Sequence, residues 1–89
     1  MTTHDLKLHK RWFNDVANGI KTFEIRKDDR GYKVGDSLIL REWEEIIGYS
    51  SFAVLAEVTY IIRHKDFSAG INEGYCVMGI KVTDVVKTR

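Results

Sequence analysis

The chain has no proline, a single cysteine, no long apolar run and almost no net charge. Each absence removes a class of protein. Without proline, internal repeats or low-complexity tracts nothing marks a linker, and 89 residues make one domain, residues 1–89, with one core. Cys76 cannot form an internal disulfide. Set beside Val77 and Met78 in an apolar run, it reads as a core side chain rather than a nucleophile. His4, His9 and His64 are scattered without cysteine partners or metal-ligand spacing, so neither a zinc site nor a cofactor is expected. No segment has the length needed to cross a bilayer, and the first residues lack the basic and apolar parts of a secretory signal. The expectation is a cytoplasmic protein without a membrane partner. Fourteen Lys and Arg against 13 Asp and Glu leave a net charge of +1. So weak a field does not steer a polyanion, and any nucleic-acid contact has to be local.

What is present is an ordinary globular composition, 44% hydrophobic and 30% charged. Residues 4–8 alternate and predict a short strand with Leu6 and Leu8 facing inward. The period then changes. Trp12, Phe13, Val16, Ala17 and Ile20 recur at spacings of three and four, which predicts a helix over residues 10–18 with one buried stripe, Trp12 and Phe13 included. Gly19 ends it, since glycine takes the left-handed cap conformation without a Cβ penalty. Strands are predicted over residues 21–27, 37–43, 52–63 and 75–82. Residues 27–30 read as a solvated turn, 44–51 as a loop, and 64–74 as a mobile connection with room for one helical turn. The length of the 52–63 segment implies a bend or bulge. The strand over 37–43 is uniformly apolar on neither face, which a small closed barrel explains, because its strands are covered by the lumen on one side and by a helix on the other. The fold class is therefore α/β (α+β): a small mixed β-barrel of about five strands, with one helix inserted after the first.

The most informative stretch is residues 19–26, where helix gives way to strand. If the strand starts at once, alternation sends Lys21, Phe23 and Ile25 to one face and Thr22, Glu24 and Arg26 to the other. Lys21 shares a site with Glu24 and Arg26 only if it belongs to the turn. Two cations and one carboxylate in a compact site suit an anionic or amide-rich ligand, because arginine forks onto phosphate or carboxylate while glutamate orients it or accepts from a base edge. On physics alone, a mixed-charge surface strand describes the pattern better than a site does.

The pattern G-x-K-x-x-E-x-R at Gly19, Lys21, Glu24 and Arg26 resembles the signature of the ASCH domains of the PUA-like superfamily. The resemblance to short phage and bacterial members continues through His4-Asp5-Leu6-Lys7-Leu8, residues 23–30, Val34-Gly35-Asp36, Leu40-Arg41-Glu42-Trp43, Val58-Thr59-Tyr60-Ile61 and residues 74–80. It covers nearly the whole chain in order, and it reverses the weighting in favour of a site. The resemblance implies the PUA-like version of the barrel, a bacterial or phage-infected cell, and a cleft beside the helix lined by the motif residues. Lys21 and Arg26 then meet the anion and Glu24 discriminates. A plain ion pair of Glu24 with Arg26, with no ligand at all, is the competing reading.

Arg41 and Trp43 share a strand face and extend the candidate site, with Tyr49 and Tyr75 nearby. Cations interleaved with rings suit single-stranded RNA, another single-stranded nucleic acid or a nucleoside, because bases stack on rings while phosphates meet the cations. Trp43 serves either for packing or for stacking, and Tyr75 starts the last strand as a core residue whose hydroxyl reaches the rim. Two functions follow. The first is a binding module for RNA or a nucleotide, with Lys21, Glu24, Arg26, Arg41, Trp43 and Tyr75 as ligand residues. The second, also implied by the resemblance, is an amidohydrolase acting on acetylated cytidine, with Lys21 and Glu24 as catalytic groups. Position 24 departs from that pattern, which carries a nucleophilic threonine there, and Asp66 and Glu73 are only weak candidates for its distal acid.

Overall fold

Alternating polar and apolar side chains build the first strand, β1 (Thr3–His9), which buries His4, Leu6 and Leu8 and exposes their neighbours in the computed structural model, which describes residues 1–88. The helix α1 (Lys10–Ala17) follows directly. His9 caps it, its Nδ1 accepting from the Arg11 N–H at 3.1 Å. Eight residues are too few for a stable isolated helix, so α1 depends on the core it covers through Phe13 and Val16. Burying each of these side chains contributes roughly 1.5–3 kcal/mol.

Four strands complete the sheet: β2 (Phe23–Lys27), β3 (Ser37–Glu44), β4 (Gly48–Arg63) and β5 (Tyr75–Lys87). Their order is β1-β3-β4-β5-β2. β1 pairs with β3 in parallel, and every other pairing is antiparallel. The sheet curls into a half-barrel, with α1 inserted after the first strand as the sequence predicts. The edges at β1 and β2 face each other across a seam that side chains bridge: Arg26 Nη2 donates to the Lys7 carbonyl at 2.5 Å, and Arg30 Nη1 to that of Asp5 at 3.5 Å. The inner face gathers Leu8, Leu38, Leu40, Val54, Val58, Cys76, Met78 and Ile80 under the helix. Cys76 is a core residue, as expected, and burial pushes its thiol pKa up.

β4 bends at two register shifts, between Leu55 and Ala56 and between Val58 and Tyr60, which meets the expectation of a bulge. The expected helical turn in the last connection is a 3₁₀ turn over His64–Asp66.

Several expectations need correction. Ile20 is 72% exposed, because the chain has left the helix before reaching it. Trp12 is 44% exposed. It lies one residue, about 100°, away from Phe13, so the core can take one of the two and takes Phe13. Residues 48–51 belong to β4 and form a hairpin with the end of β3 around Gly48, whose φ of 84° serves the turn. The solvated turn is anchored, since Arg63 holds both the Asp28 carboxylate and the Tyr32 carbonyl. Tyr32, between β2 and β3, is only 1% exposed. Its ring meets that of His4 edge-on at 4.7 Å between centroids. His4 Nε2 in turn donates to Asp36 at 2.8 Å, closing a buried polar pair that ties the start of β1 to the start of β3. Among the described residues no helix is long and apolar enough to cross a membrane.

Candidate functional site

The turn between α1 and β2 fixes the position of Lys21. Gly19, at φ 72°, donates to the Val16 carbonyl at 3.0 Å, and Ile20 donates to that of Asp15 at 2.8 Å. This is the Schellman arrangement that closes a helix C-terminus. Lys21 N–H also reaches the Asp15 carbonyl, at 3.0 Å. The strand begins only at Phe23, so Lys21 belongs to the turn and escapes the alternation that would send it to the opposite face from Glu24.

Glu24 points inward and is 3% exposed. Its Oε1 accepts from Lys21 Nζ at 3.2 Å, and its Oε2 accepts from Arg26 Nε at 2.9 Å. Lys21 Nζ donates a second bond, to the Phe23 carbonyl at 2.8 Å, and Arg26 spans the seam to β1. The carboxylate thus holds two cations in fixed orientations. It leaves the third hydrogen of Lys21 and the Nη1 group of Arg26 without a bonding partner among the described residues.

Above these groups lies a cleft of about 650 Å³ over the seam. Lys21, Glu24 and Arg26 line it together with Lys7, Leu8, His9, Trp12, Asp15, Ile20, Phe23, Ile25 and Trp43. Cations sit over its rings. Lys21 Nζ is 4.6 Å from the Phe23 centroid and 5.8 Å from that of Trp12, and Lys7 Nζ is 4.4 Å from that of Trp43. Among the described residues no group of three or more His, Cys, Asp and Glu side chains is placed to hold a metal ion.

The structure brings together Lys21, Glu24, Arg26 and Trp43 and leaves Arg41 and Tyr75 outside this cleft. Arg41 and Trp43 keep an unbroken register with Lys7 and His9 of β1, so a side-chain partner rather than the strand's face takes Arg41 out of the cleft. Arg41 instead grips Asp5 with two bonds, at 2.8 and 2.9 Å, which hold the Asp5 carboxyl below its ordinary range, beside a second surface hollow that includes Tyr49. Tyr75 pairs with Lys27, at the opposite end of β2 from Phe23. Neither Asp66 nor Glu73 lines the cleft, and Asp66 caps the 3₁₀ turn by accepting from the Arg63 N–H. Lys7, Trp12 and Phe23 are cleft residues absent from the sequence-based site. Trp12 carried a usable signal, being the ring a narrow core stripe displaces, whereas Lys7 joins Trp43 only through the parallel β1–β3 register.

A protein of Escherichia phage P2, described as an uncharacterized 12.9 kDa protein in the GpA 3' region, is 39% identical to this chain over 64 residues. The match takes in 72% of this chain and 58% of that protein, less than two thirds of its length. Residues 3–80, which hold α1, the seam and every cleft residue, match a domain of unknown function, DUF3850. The chain belongs to the DUF3850 family.

Proposed function

We propose that the cleft binds a nucleotide unit, free or within single-stranded RNA, and that the domain works as a binding module in the cytoplasm of a bacterial or phage-infected cell. The observation that carries this reading is the pair of cations fixed by one buried carboxylate on the floor of a cleft walled by Trp12, Phe23 and Trp43. Rings offer stacking surfaces, and the unused N–H groups of Lys21 and Arg26 offer donors to phosphate or to base carbonyls. The resemblance to ASCH domains supports the same reading. It extends to a PUA-like reading of this half-barrel, which is supported by Lys21, Glu24 and Arg26 of the motif lining the cleft.

An amidohydrolase has less support. Both oxygens of Glu24 are already engaged by cations that it orients, and position 24 offers no hydroxyl nucleophile. The test is fluorescence anisotropy with short labelled single-stranded RNA. Micromolar or weaker affinity that declines with salt is expected, together with a clear loss in the folded Lys21→Ala/Arg26→Ala double variant. Unchanged affinity in that variant removes the two cations from the site. Acetate release from acetylated cytidine, abolished by Glu24→Gln, would favour the hydrolase instead.

A further inference from the structure

Three cationic side chains of Lys and Arg line the cleft, and their commitments differ. Lys21 and Arg26 are both bound to Glu24. Lys7 has no hydrogen-bond or carboxylate partner among the described residues and rests on the face of Trp43. Lys7 forms no ion pair among the described residues: Asp5, two residues away on the same face of β1, is bound bidentately by Arg41, Glu45 is bound by His9, and Asp15, which also lines the cleft, forms no salt bridge with it. A lysine with three unused donors therefore covers the face of a ring that forms a wall of the cleft.

Resting on the nucleotide reading above, we propose that Lys7 and Trp43 form the phosphate subsite of the cleft, so that the ligand is a phosphorylated nucleotide rather than a nucleoside. The two groups exchange partners on binding. The base takes the ring face, which is apolar and flat, and the ammonium leaves that face for a phosphate oxygen, a stronger partner than a ring quadrupole. Lys21 and Arg26, oriented by Glu24, then read the base from below. Lys7 lies on a strand whose backbone is fixed by the β3 ladder, so only its flexible stem has to move.

The experiment uses the quenching of tryptophan fluorescence, since both tryptophans line the cleft. Uridine, uridine 5′-monophosphate, uridine 3′-monophosphate and the corresponding adenosine compounds are titrated into wild type, Lys7→Met and Lys7→Arg at low salt. At least one monophosphate is expected to bind wild type about tenfold more tightly than its nucleoside. Lys7→Met should bring that ratio close to one, and Lys7→Arg should restore the preference. Nucleoside binding with no phosphate preference, or a preference that survives Lys7→Met, overturns the subsite and leaves the nucleotide reading standing. Absence of binding by every compound overturns both.

Discussion

At the scale of single residues, Glu24 decides the character of the site. A carboxylate that is nearly sealed from water and accepts from two cations is an organiser, and removing its charge has two opposite effects. Glu24→Gln preserves shape but leaves Lys21 and Arg26 without a counter-charge, which should lower unfolding stability by about 1–3 kcal/mol in urea titrations. The same change frees both cations, so inorganic phosphate should bind the variant more tightly than wild type by calorimetry. A variant that loses stability without gaining anion affinity would mark the triad as purely structural. This part of the site was legible through the resemblance of its motif to the ASCH signature, since alternation alone puts Lys21 on the opposite face from Glu24. The Lys7–Trp43 contact was not, since it joins residues that no local period relates and that meet only through strand register.

At the scale of elements, the joints carry the information. Gly19 closes α1 and aims Lys21, and its φ of 72° is strained for any residue with a Cβ, although the space around it is open. Gly19→Ala should therefore cost about 1 kcal/mol in thermal or chemical unfolding and should also weaken ligand binding by misplacing Lys21. The other joint is Asp36, which accepts from His4 Nε2 and from the N–H groups of Thr2 and Lys33. The His4 bond, helped by these two, holds its carboxyl below the ordinary carboxylate range. A depressed folded value means that the stabilisation is complete above the unfolded value of about 3.9 and is lost as pH falls through the folded one. Asp36→Asn should lower stability by about 1 kcal/mol at pH 7, and its deficit relative to wild type should shrink as both proteins are acidified below about pH 4. Sequence reasoning located the strands and the helix because periodicity reports them. It missed the His4–Asp36 pair because a histidine on a strand looks the same whether its partner is water or a residue 32 positions away.

At the scale of the whole molecule, the net charge of +1 and the open seam set the behaviour. With so little long-range field, RNA binding should depend on salt only through the few phosphates that touch the cleft. For two or three such contacts, a plot of log affinity against log salt should have a slope of roughly −1.4 to −2. A much steeper slope would place most of the bound strand elsewhere on the surface. The sheet order puts β4 in the centre and β1 and β2 at the edges. Hydrogen exchange should therefore be slowest at the paired amides of β4 and β5 and fastest at the two edges, where side chains rather than a ladder span the seam.

The pairing of β2 has a consequence for synthesis. β3, β4 and β5 follow one another in sequence and pair with their immediate neighbours, so that part of the sheet grows by local closures. β2, which carries Glu24 and Arg26, pairs among the described residues with β5, about fifty residues further along the chain. On the ribosome Glu24 and Arg26 are thus made well before the strand that pairs with theirs. Until the final strand emerges, Phe23 and Ile25 wait beside an unpaired backbone, so the nascent domain acquires its cleft only when its last strand is released from the exit tunnel.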